Sequence, residues 1–161
     1  MKKVLMVLLI FGLIFGLIGC SSEAETLKVG TSADFPPFEY IDTEGNIVGF
    51  DVDLINEIAK ELGMEVEMED ITFEGLVDAV QSDRIDMAIS GMNPTPDRLE
   101  KVNFSDPYYY ASQTLLIRED DEDIASIEEL QGVTVGSQLG STSDDIISEY
   151  EDDGIEVRKY N

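Results

Sequence analysis

Residues 49–69 read GFDVDLINEIAKELGMEVEME and combine a helix with the strand that follows it. Apolar residues lie on one helical face, at positions 54, 55, 58, 59 and 62. Asp51 and Asp53 favour the start of a helix, and Lys60 followed by Gly63 favours its end. Glu65–Glu69 then predicts a strand. A helix that leads directly into a strand is the repeating unit of α/β proteins.

The sequence on both sides continues this alternation. Leu27–Thr31 and Ile85–Ser90 predict strands, and Glu74–Ser82 predicts a helix. Phe38–Ile41 and Ile47–Phe50 flank the turn sequence DTEGN and predict a hairpin. The order strand, helix, strand, helix, strand indicates a parallel sheet with right-handed crossovers. We therefore predict an α/β fold with mixed, mainly parallel sheets.

The pattern restarts near residue 114. The predicted elements are a strand at Ser112–Arg118, a short helix with the capping box Ser126 and Glu129, a strand at Val133–Val135, a helix at Thr142–Tyr150 and a strand at Ile155–Lys159. We expect a first lobe over residues 27–113 and a crossover strand with the start of a second lobe over residues 114–161. Because about 45 residues rarely fold alone, we expect the chain to be truncated within this second lobe.

The N-terminus predicts an export signal over residues 1–19. Lys2 and Lys3 precede the apolar run Val4–Ile18, which is shorter than the ~20 residues of a spanning helix. A short anchor helix beside an incidental cysteine is the alternative. The sequence Leu-Ile-Gly-Cys resembles the lipobox of bacterial lipoproteins, which implies a diacylglyceryl group on Cys20 and a polar tether over residues 20–26. This implies an extracytoplasmic protein that is lipid-anchored to the cell membrane.

Composition excludes several classes of function. The 161 residues include 35 acids and 10 Lys and Arg, which gives a net charge of −25, with one cysteine and no histidine. Histidine-based triads and metal sites, intrachain disulfides and cysteine zinc sites are therefore excluded. Such an acidic surface also disfavours nucleic acid. No glycine-rich phosphate motif or calcium loop is complete, so we expect no cofactor and no metal.

Two loops are predicted to converge on one small molecule. One follows the first strand (residues 32–38, SADFPPF), and the other follows the strand that ends at Ser90 (residues 91–98, GMNPTPDR). Ligands of open parallel sheets bind outside the carboxyl ends of the strands, and both loops leave that edge. A third loop, residues 136–142 (GSQLGST), joins a strand to a helix start and predicts a second anion site, with Ser141 or Thr142 as the cap.

Arg98 is predicted in the first turn of a helix capped by Thr95, where a cation is unfavourable by about a few tenths of a kcal/mol. A bound anion would reverse this cost through a bidentate guanidinium. The alternative is an ion pair with one of three acids: Asp97, Glu100 or Asp106. Phe35 and Phe73 also have two interpretations, as aromatic walls of a site or as core residues.

The motifs together resemble a known family. The segments are Gly49–Leu54 with Ile58, Ala59 and Leu62; Gly30–Glu39; Ile85–Arg98; and Phe104–Tyr108. In order and spacing they are similar to the amino-acid-type extracellular solute-binding proteins of ABC importers, solute-binding protein family 3. The resemblance covers residues 27–161. It implies a two-lobed periplasmic-binding-protein clamshell without enzymatic activity, which captures a free amino acid and delivers it to the permease subunits of an ABC transporter.

The resemblance also implies roles for individual residues. Arg98 matches the arginine that binds the α-carboxylate of the ligand, and Phe35 and Phe73 match the walls around its side chain. The remaining ligand-binding residues implied are Asp34, Ser90, Gly91, Asn93, Ser141 and Thr142. Ser32 replaces an aspartate of several relatives, so the side chain of the ligand is not specified. The family's acidic partner for the ligand ammonium lies beyond Asn161.

Three other classes remain open at this stage. A periplasmic enzyme on the same fold, such as a cyclohexadienyl dehydratase, would need an acid–base pair in the cleft, and Asp34 is the visible candidate. A ligand-sensing domain of a receptor would carry further domains. A structural lipoprotein would make the convergent loops accidental.

Overall fold

The computed structural model describes residues 24–120 and 124–161, so the predicted signal and Cys20 lie outside the described residues. In chain order the elements are β1 (Thr26–Thr31), β2 (Asp34–Phe35), β3 (Glu39–Ile41), β4 (Ile47–Val48), α1 (Phe50–Leu62), β5 (Glu65–Asp70), α2 (Leu76–Gln81), β6 (Met87–Ala88), α3 (Pro96–Leu99), β7 (Thr134–Gln138), α4 (Thr142–Ser148) and β8 (Glu156–Tyr160). Single 3₁₀ turns lie at Phe73–Gly75, Ile127–Glu129 and Glu151–Asp153.

The predicted parallel sheet is confirmed, with β1 between β5 and β6. β1 pairs with β5 over its whole length, and its central residue Val29 is fully buried. β6 is shorter than the strand predicted at Ile85–Ser90. The hydrogen bonds from Asp86 N to Lys28 O and from Ile89 N to Gly30 O nevertheless continue the pairing with β1 at both ends.

Apolar side chains form one core cluster on each face of this sheet. The first cluster contains Val29, Ile55 and Ile89, and the second contains Ile71, Leu76, Ala79 and Ile85. Burial of each Val, Leu or Ile side chain contributes about 1.5–3 kcal/mol, which fixes the sheet and therefore the loops at its edge. We call the strands β1 to β6 together with α1, α2 and α3 the N-terminal unit.

The helix predicted after Gly49 is confirmed as α1. Gly63 ends it in the left-handed conformation, with φ at +73°, and its N–H bonds back to the last turn. Gly49 is required at the other end for a different reason: its φ is +133°, and a Cβ there would lie 2.2 Å from the carbonyl oxygen of Phe38. This close approach fixes the start of α1 against the preceding hairpin.

The predicted hairpin is also confirmed, as β3 paired antiparallel with β4. Asp42 closes its turn, because Oδ1 accepts hydrogen bonds from the N–H groups of Glu44 and Asn46 at 2.8 and 2.9 Å. β2 adds a third strand beside β3 that was not predicted. With two residues, β2 is too short to show a periodic pattern.

The second βαβ arrangement is confirmed as β7, α4 and β8, which we call the C-terminal unit. β7 and β8 run parallel in register from Thr134 opposite Glu156. Leu130, Ile147 and Ile155 form its core. The predicted capping box is present, since Ser126 and Glu129 each accept a hydrogen bond from the backbone of the other.

The strand predicted at Ser112–Arg118 is wrong, because this segment has no regular secondary structure. Its apolar residues favour a strand, but a strand forms only where another backbone completes the ladder. Leu116 is 99% exposed, and an apolar groove of about 840 Å³ lies between this segment and β7. Among residues 24–120 and 124–161, no helix has the length and apolar character required to cross a membrane.

Candidate functional site

The loop after β6 meets the loop between β7 and α4 along a surface that we call the junction. It is defined by Asn93 and Arg98 on the N-terminal unit and by Gly140 and Thr142 on the C-terminal unit. The position of Arg98 follows from local structure: Thr95 caps the short helix α3, and its hydroxyl accepts a hydrogen bond from the N–H of Arg98 at 3.3 Å. The predicted helix start at Thr95 is thus confirmed.

Arg98 is buried at the junction, with 8% of its surface exposed. Its guanidinium donates to the carbonyl oxygen of Asn93 at 2.8 Å and to that of Gly140 at 2.9 Å. The ring of Phe73 lies beneath it, 5.3 Å from Cζ to the ring centre. Burial lowers the pKa of Arg98 from its ordinary value, and Asp145 partly opposes this shift. Arginine nevertheless stays protonated in proteins, so a positive charge is held here.

The partners of Arg98 differ from the acids that the sequence offered as an alternative. Within the described residues, Arg98 forms no ion pair with Asp97, Glu100 or Asp106, and two backbone carbonyls occupy two of its five N–H donors. A carbonyl satisfies a hydrogen bond but supplies no negative charge. The guanidinium is therefore a buried cation whose neighbours leave it able to bind an anion.

Two further pairs of side chains form hydrogen bonds between the units. The hydroxyl of Thr142 donates to the side-chain oxygen of Asn93 at 3.0 Å. The side-chain amide of Gln138 donates to both carboxylate oxygens of Asp34 at 3.3 Å. Asp34 is thus brought close to the C-terminal unit, where an amide contacts its charge but no cation neutralises it within the described residues.

Phe35 presents an aromatic surface beside this region. It is 51% exposed and stacks on Phe38, with the ring centres 5.5 Å apart. Gly91 lies against it, since a Cβ at Gly91 would be 3.4 Å from the Phe35 ring. Phe35 therefore has the exposure of a wall rather than of a core residue, whereas Phe73 lies partly buried against the N-terminal core.

Ser90 and Ser141 use their hydroxyls within the protein. The Ser90 hydroxyl accepts from the N–H of Ser32 at 3.0 Å and donates to Glu39 Oε1 at 2.8 Å, and Ser90 is buried. The Ser141 hydroxyl caps α4 by accepting from the N–H of Asp144 at 3.2 Å. Both serines shape the loops that carry Gly91 and Gly140.

Sequence reasoning missed two buried acids in the N-terminal unit. Glu39 is 1% exposed and Asp51 is fully buried. Burial raises the pKa of Glu39 to about 8. The hydrogen bond from Ser90 opposes this shift, and the charges of Asp51 and Asp34 add to it. Tyr108 donates to Asp51 Oδ2 at 2.8 Å. Burial and, to a smaller extent, the neighbouring Asp51 raise the pKa of Tyr108 well above its usual value. The sequence signal that could have indicated their burial was the strongly apolar residues on both sides of each acid in the chain.

A third buried acid, Asp144, supports Gly140 from inside the C-terminal unit. Its oxygens accept from Gly140 N–H at 3.1 Å and from the Ser137 hydroxyl at 3.0 Å, and Lys159 Nζ lies 3.1 Å away. Burial by itself raises the pKa of Asp144, but the bonds from Gly140, Lys159 and Ser137 outweigh it and leave the pKa lowered. Asp144 thus fixes the carbonyl that Arg98 contacts.

The described residues contain no cluster of three or more acids or cysteines arranged to hold a metal. The junction and the residues beside it bring together a buried guanidinium, an exposed aromatic ring and a carboxylate that has no cationic partner in the described residues. A set of groups of this kind is able to hold a zwitterion of moderate size. The fold is that of the periplasmic binding proteins, here as two α/β units that meet at the junction.

Comparison with known proteins extends this assignment. The model of bacterial extracellular solute-binding proteins, family 3, matches residues 27–161. The arginine-binding extracellular protein ArtP of Bacillus subtilis (strain 168) is 42% identical over 152 residues, which cover 90% of this chain and 59% of ArtP. The chain belongs to this family, as its motifs indicated.

Solved structures give the same assignment for the fold. A structure of an ancestral arginine-binding protein bound to arginine matches with a TM-score of 0.82 and 46% identity, over 84% of this chain and 60% of that chain. A structure of an ancestral arginine-binding protein bound to glutamine matches with a TM-score of 0.80 and 45% identity, over 84% and 60%. The predicted α/β periplasmic-binding-protein fold is confirmed. This chain spans about three-fifths of the length of these relatives.

Proposed function

We propose that the protein captures a free amino acid outside the cytoplasm and delivers it to the permease subunits of an ABC importer. The observation that carries this proposal is Arg98, a buried guanidinium with no carboxylate partner in the described residues. The energetic cost of burying that cation is offset when the α-carboxylate of a ligand binds it. Hydrogen bonds between charged groups of this kind contribute about 1.5–3 kcal/mol each.

The surroundings of Arg98 favour a cationic amino acid, and arginine above the others. Asp34 provides a negative charge at the boundary of the two units, and the exposed face of Phe35 provides a π surface for a cation. The relatives reported above as arginine-binding proteins support the same ligand class. The structure bound to glutamine makes a neutral, amide-bearing amino acid the nearest competitor.

Binding is proposed to favour the closed arrangement of the units. Arg98, Asn93 and Asp34 contact the C-terminal unit through Gly140, Thr142 and Gln138. A ligand held by both units binds the closed state more tightly than the open state, and this difference in affinity shifts the equilibrium towards closure. Ser90, Gly91 and Ser141 are proposed to shape this ligand site through backbone groups, while Phe73 supports the guanidinium.

Calorimetric titration of the full chain with L-arginine, L-lysine, L-histidine, L-glutamine and L-glutamate tests the proposal. We expect L-arginine to bind most tightly and L-glutamate least, because Asp34 repels an acidic side chain. D-arginine is the matched control, since it carries the same groups in the wrong geometry. An absence of binding for every L-amino acid would contradict the function, and a preference for L-glutamate would contradict only the ligand class.

We also propose that Cys20 carries a lipid that holds the mature protein at the membrane, after removal of residues 1–19. Two acyl chains give stable anchoring, whereas one gives marginal binding. Cys20→Ala should move the protein from the membrane pellet to the soluble fraction of cells, and Ser21→Ala should leave it in the pellet. If Cys20→Ala remains in the pellet, the apolar run itself is the anchor.

A further inference from the structure

Glu39 and Asp51 are buried side by side behind the loop that carries Gly91. Glu39 Oε2 and Asp51 Oδ1 are both buried and have no hydrogen-bond partner in the described residues, and the charge of Asp51 acts on Glu39. Two ionised carboxylates only accept hydrogen bonds, so they cannot satisfy each other. A single proton between these two oxygens satisfies both and removes the repulsion of two buried charges.

The other two oxygens of the pair hold consecutive residues of the loop. Glu39 Oε1 accepts from the Ser90 hydroxyl at 2.8 Å, and Asp51 Oδ2 accepts from the N–H of Gly91 at 2.9 Å. Ser90 is also bound to the N–H of Ser32 at the end of β1. The pair therefore fixes the edge of the sheet from which both loops of the candidate site leave.

The surrounding groups place the proton on Glu39. Asp51 Oδ2 accepts from both Gly91 and the Tyr108 hydroxyl, which is the pattern of a charged carboxylate. The charged neighbours that act on Glu39 are Asp51 and Asp34, and both are acidic. Burial and these charges raise its pKa to about 8, in agreement with a neutral Glu39.

We propose that Glu39 is a positioning residue that donates its proton to Asp51 and thereby holds Ser90 and Gly91 in place for recognition of the amino acid. This inference rests on the proposed function only for its last step, the binding of ligand. When the proton is lost, two negative charges face each other in a buried site, and the end of β6 moves away from the geometry that receives the ligand. No residue of the pair contacts the ligand in this scheme.

Glu39→Gln tests the shared proton, because its amide donates to Asp51 as the neutral acid does. A folded-state pKa above the unfolded value of 4.5 means that the native chain loses stability as the pH rises from about 4.5 to about 8. As the pH rises through this window, we expect the melting temperature of Glu39→Gln minus that of the native chain to increase. Glu44→Gln removes the same charge from the exposed hairpin turn and should follow the native curve. Parallel curves for all three proteins would overturn the shared proton.

The titration of L-arginine over the same pH range tests the positioning role. We expect the affinity of the native chain to fall as the pH passes about 8, and that of Glu39→Gln to fall less. Glu44→Gln again serves as the control, because the ionisation of arginine itself affects all three proteins equally. Identical affinity profiles beside a changed stability profile would overturn the positioning role. If no variant binds L-arginine, the proposed ligand is wrong, and the stability curves still decide the shared proton.

A double substitution distinguishes a shared proton from simple burial of two acids. In Asp51→Asn the new amide donates to Glu39, so each single amide variant retains one donor between the facing oxygens. The double variant Glu39→Gln with Asp51→Asn places two NH₂ groups against each other. We expect its melting temperature to lie below the value that the sum of the two single changes gives at the same pH. Additive changes would overturn the proposal.

Discussion

Arg98 and Asp144 are buried charged residues on opposite sides of the junction, and they differ in what surrounds them. Asp144 has an ion pair with Lys159 and accepts bonds from Ser137 and Gly140. Arg98 donates to two backbone carbonyls, lies over an aromatic ring and forms no ion pair within the described residues, although the charge of Asp145 acts on it. A buried charge that is paired stabilises its own loop, whereas one that lacks a counter-charge is able to bind a charged ligand. Burial alone therefore does not distinguish a structural charge from a binding charge.

The largest effect is expected for Arg98→Ala, measured by calorimetry with L-arginine. Loss of a bidentate, charge-assisted contact should weaken binding by about a hundredfold or more. The melting temperature should change little, because removal of Arg98 also removes a buried cation. Arg98→Lys keeps the charge but not the bidentate geometry, and its affinity should lie between the two. If Arg98→Ala binds L-arginine with an affinity within about twofold of the native chain, Arg98 is not a binding charge and the contrast with Asp144 is wrong.

Asp144→Asn should have the opposite profile, with lower stability as its main effect. Loss of the Lys159 ion pair and of one acceptor costs about 1–3 kcal/mol in chemical denaturation. The lowered pKa means that this stabilisation is present above the unfolded value of 3.8 and is lost as the pH falls through the folded value. The difference between the native chain and the variant should therefore shrink in acid. The neighbouring exposed Asp145→Asn is the control, and an equal loss in both variants would count against the role of Asp144.

A smaller effect is expected for Gly140→Ala, which tests the contact between the units. Gly140 has φ at +73°, and a Cβ there would lie 3.0 Å from the Cβ of Glu74. Gly154→Ala is the matched control, because its φ is +91° but its nearest contact is 3.6 Å. Both variants should lose about 1–2 kcal/mol of stability from strain. Only Gly140→Ala should also lose affinity for L-arginine, and equal affinities would show that closure does not require this contact.

Periodic patterns and end signals were sufficient for the elements that have their own local signals. α1 has an apolar face, acids in its first turn and a terminal glycine, and the structure follows these signals. Ser112–Arg118 has strand-like composition, but it pairs with no strand among the described residues and lacks regular structure. β2 was missed because a strand of two residues exists only through its pairing with β3.

The candidate site divides in the same way. The sequence placed Arg98 in the first turn of a helix after Thr95, since capping preferences act within a few residues. It left the partner of Arg98 open between nearby acids and a ligand. In the structure Arg98 donates to the carbonyl of Gly140, 42 positions away, and no local pattern encodes that contact.

By itself, the sequence determined the α/β class, the order of the elements and the two loops that leave one edge of the sheet. Short-range periodicity, caps and turns carry that information. Only the tertiary structure decided which charges are paired: it gave Asp144 a lysine, left Arg98 without an ion pair in the described residues and buried both Glu39 and Asp51. The physical reason is that burial and charge pairing depend on residues far apart in the chain, which come together only when the two units fold.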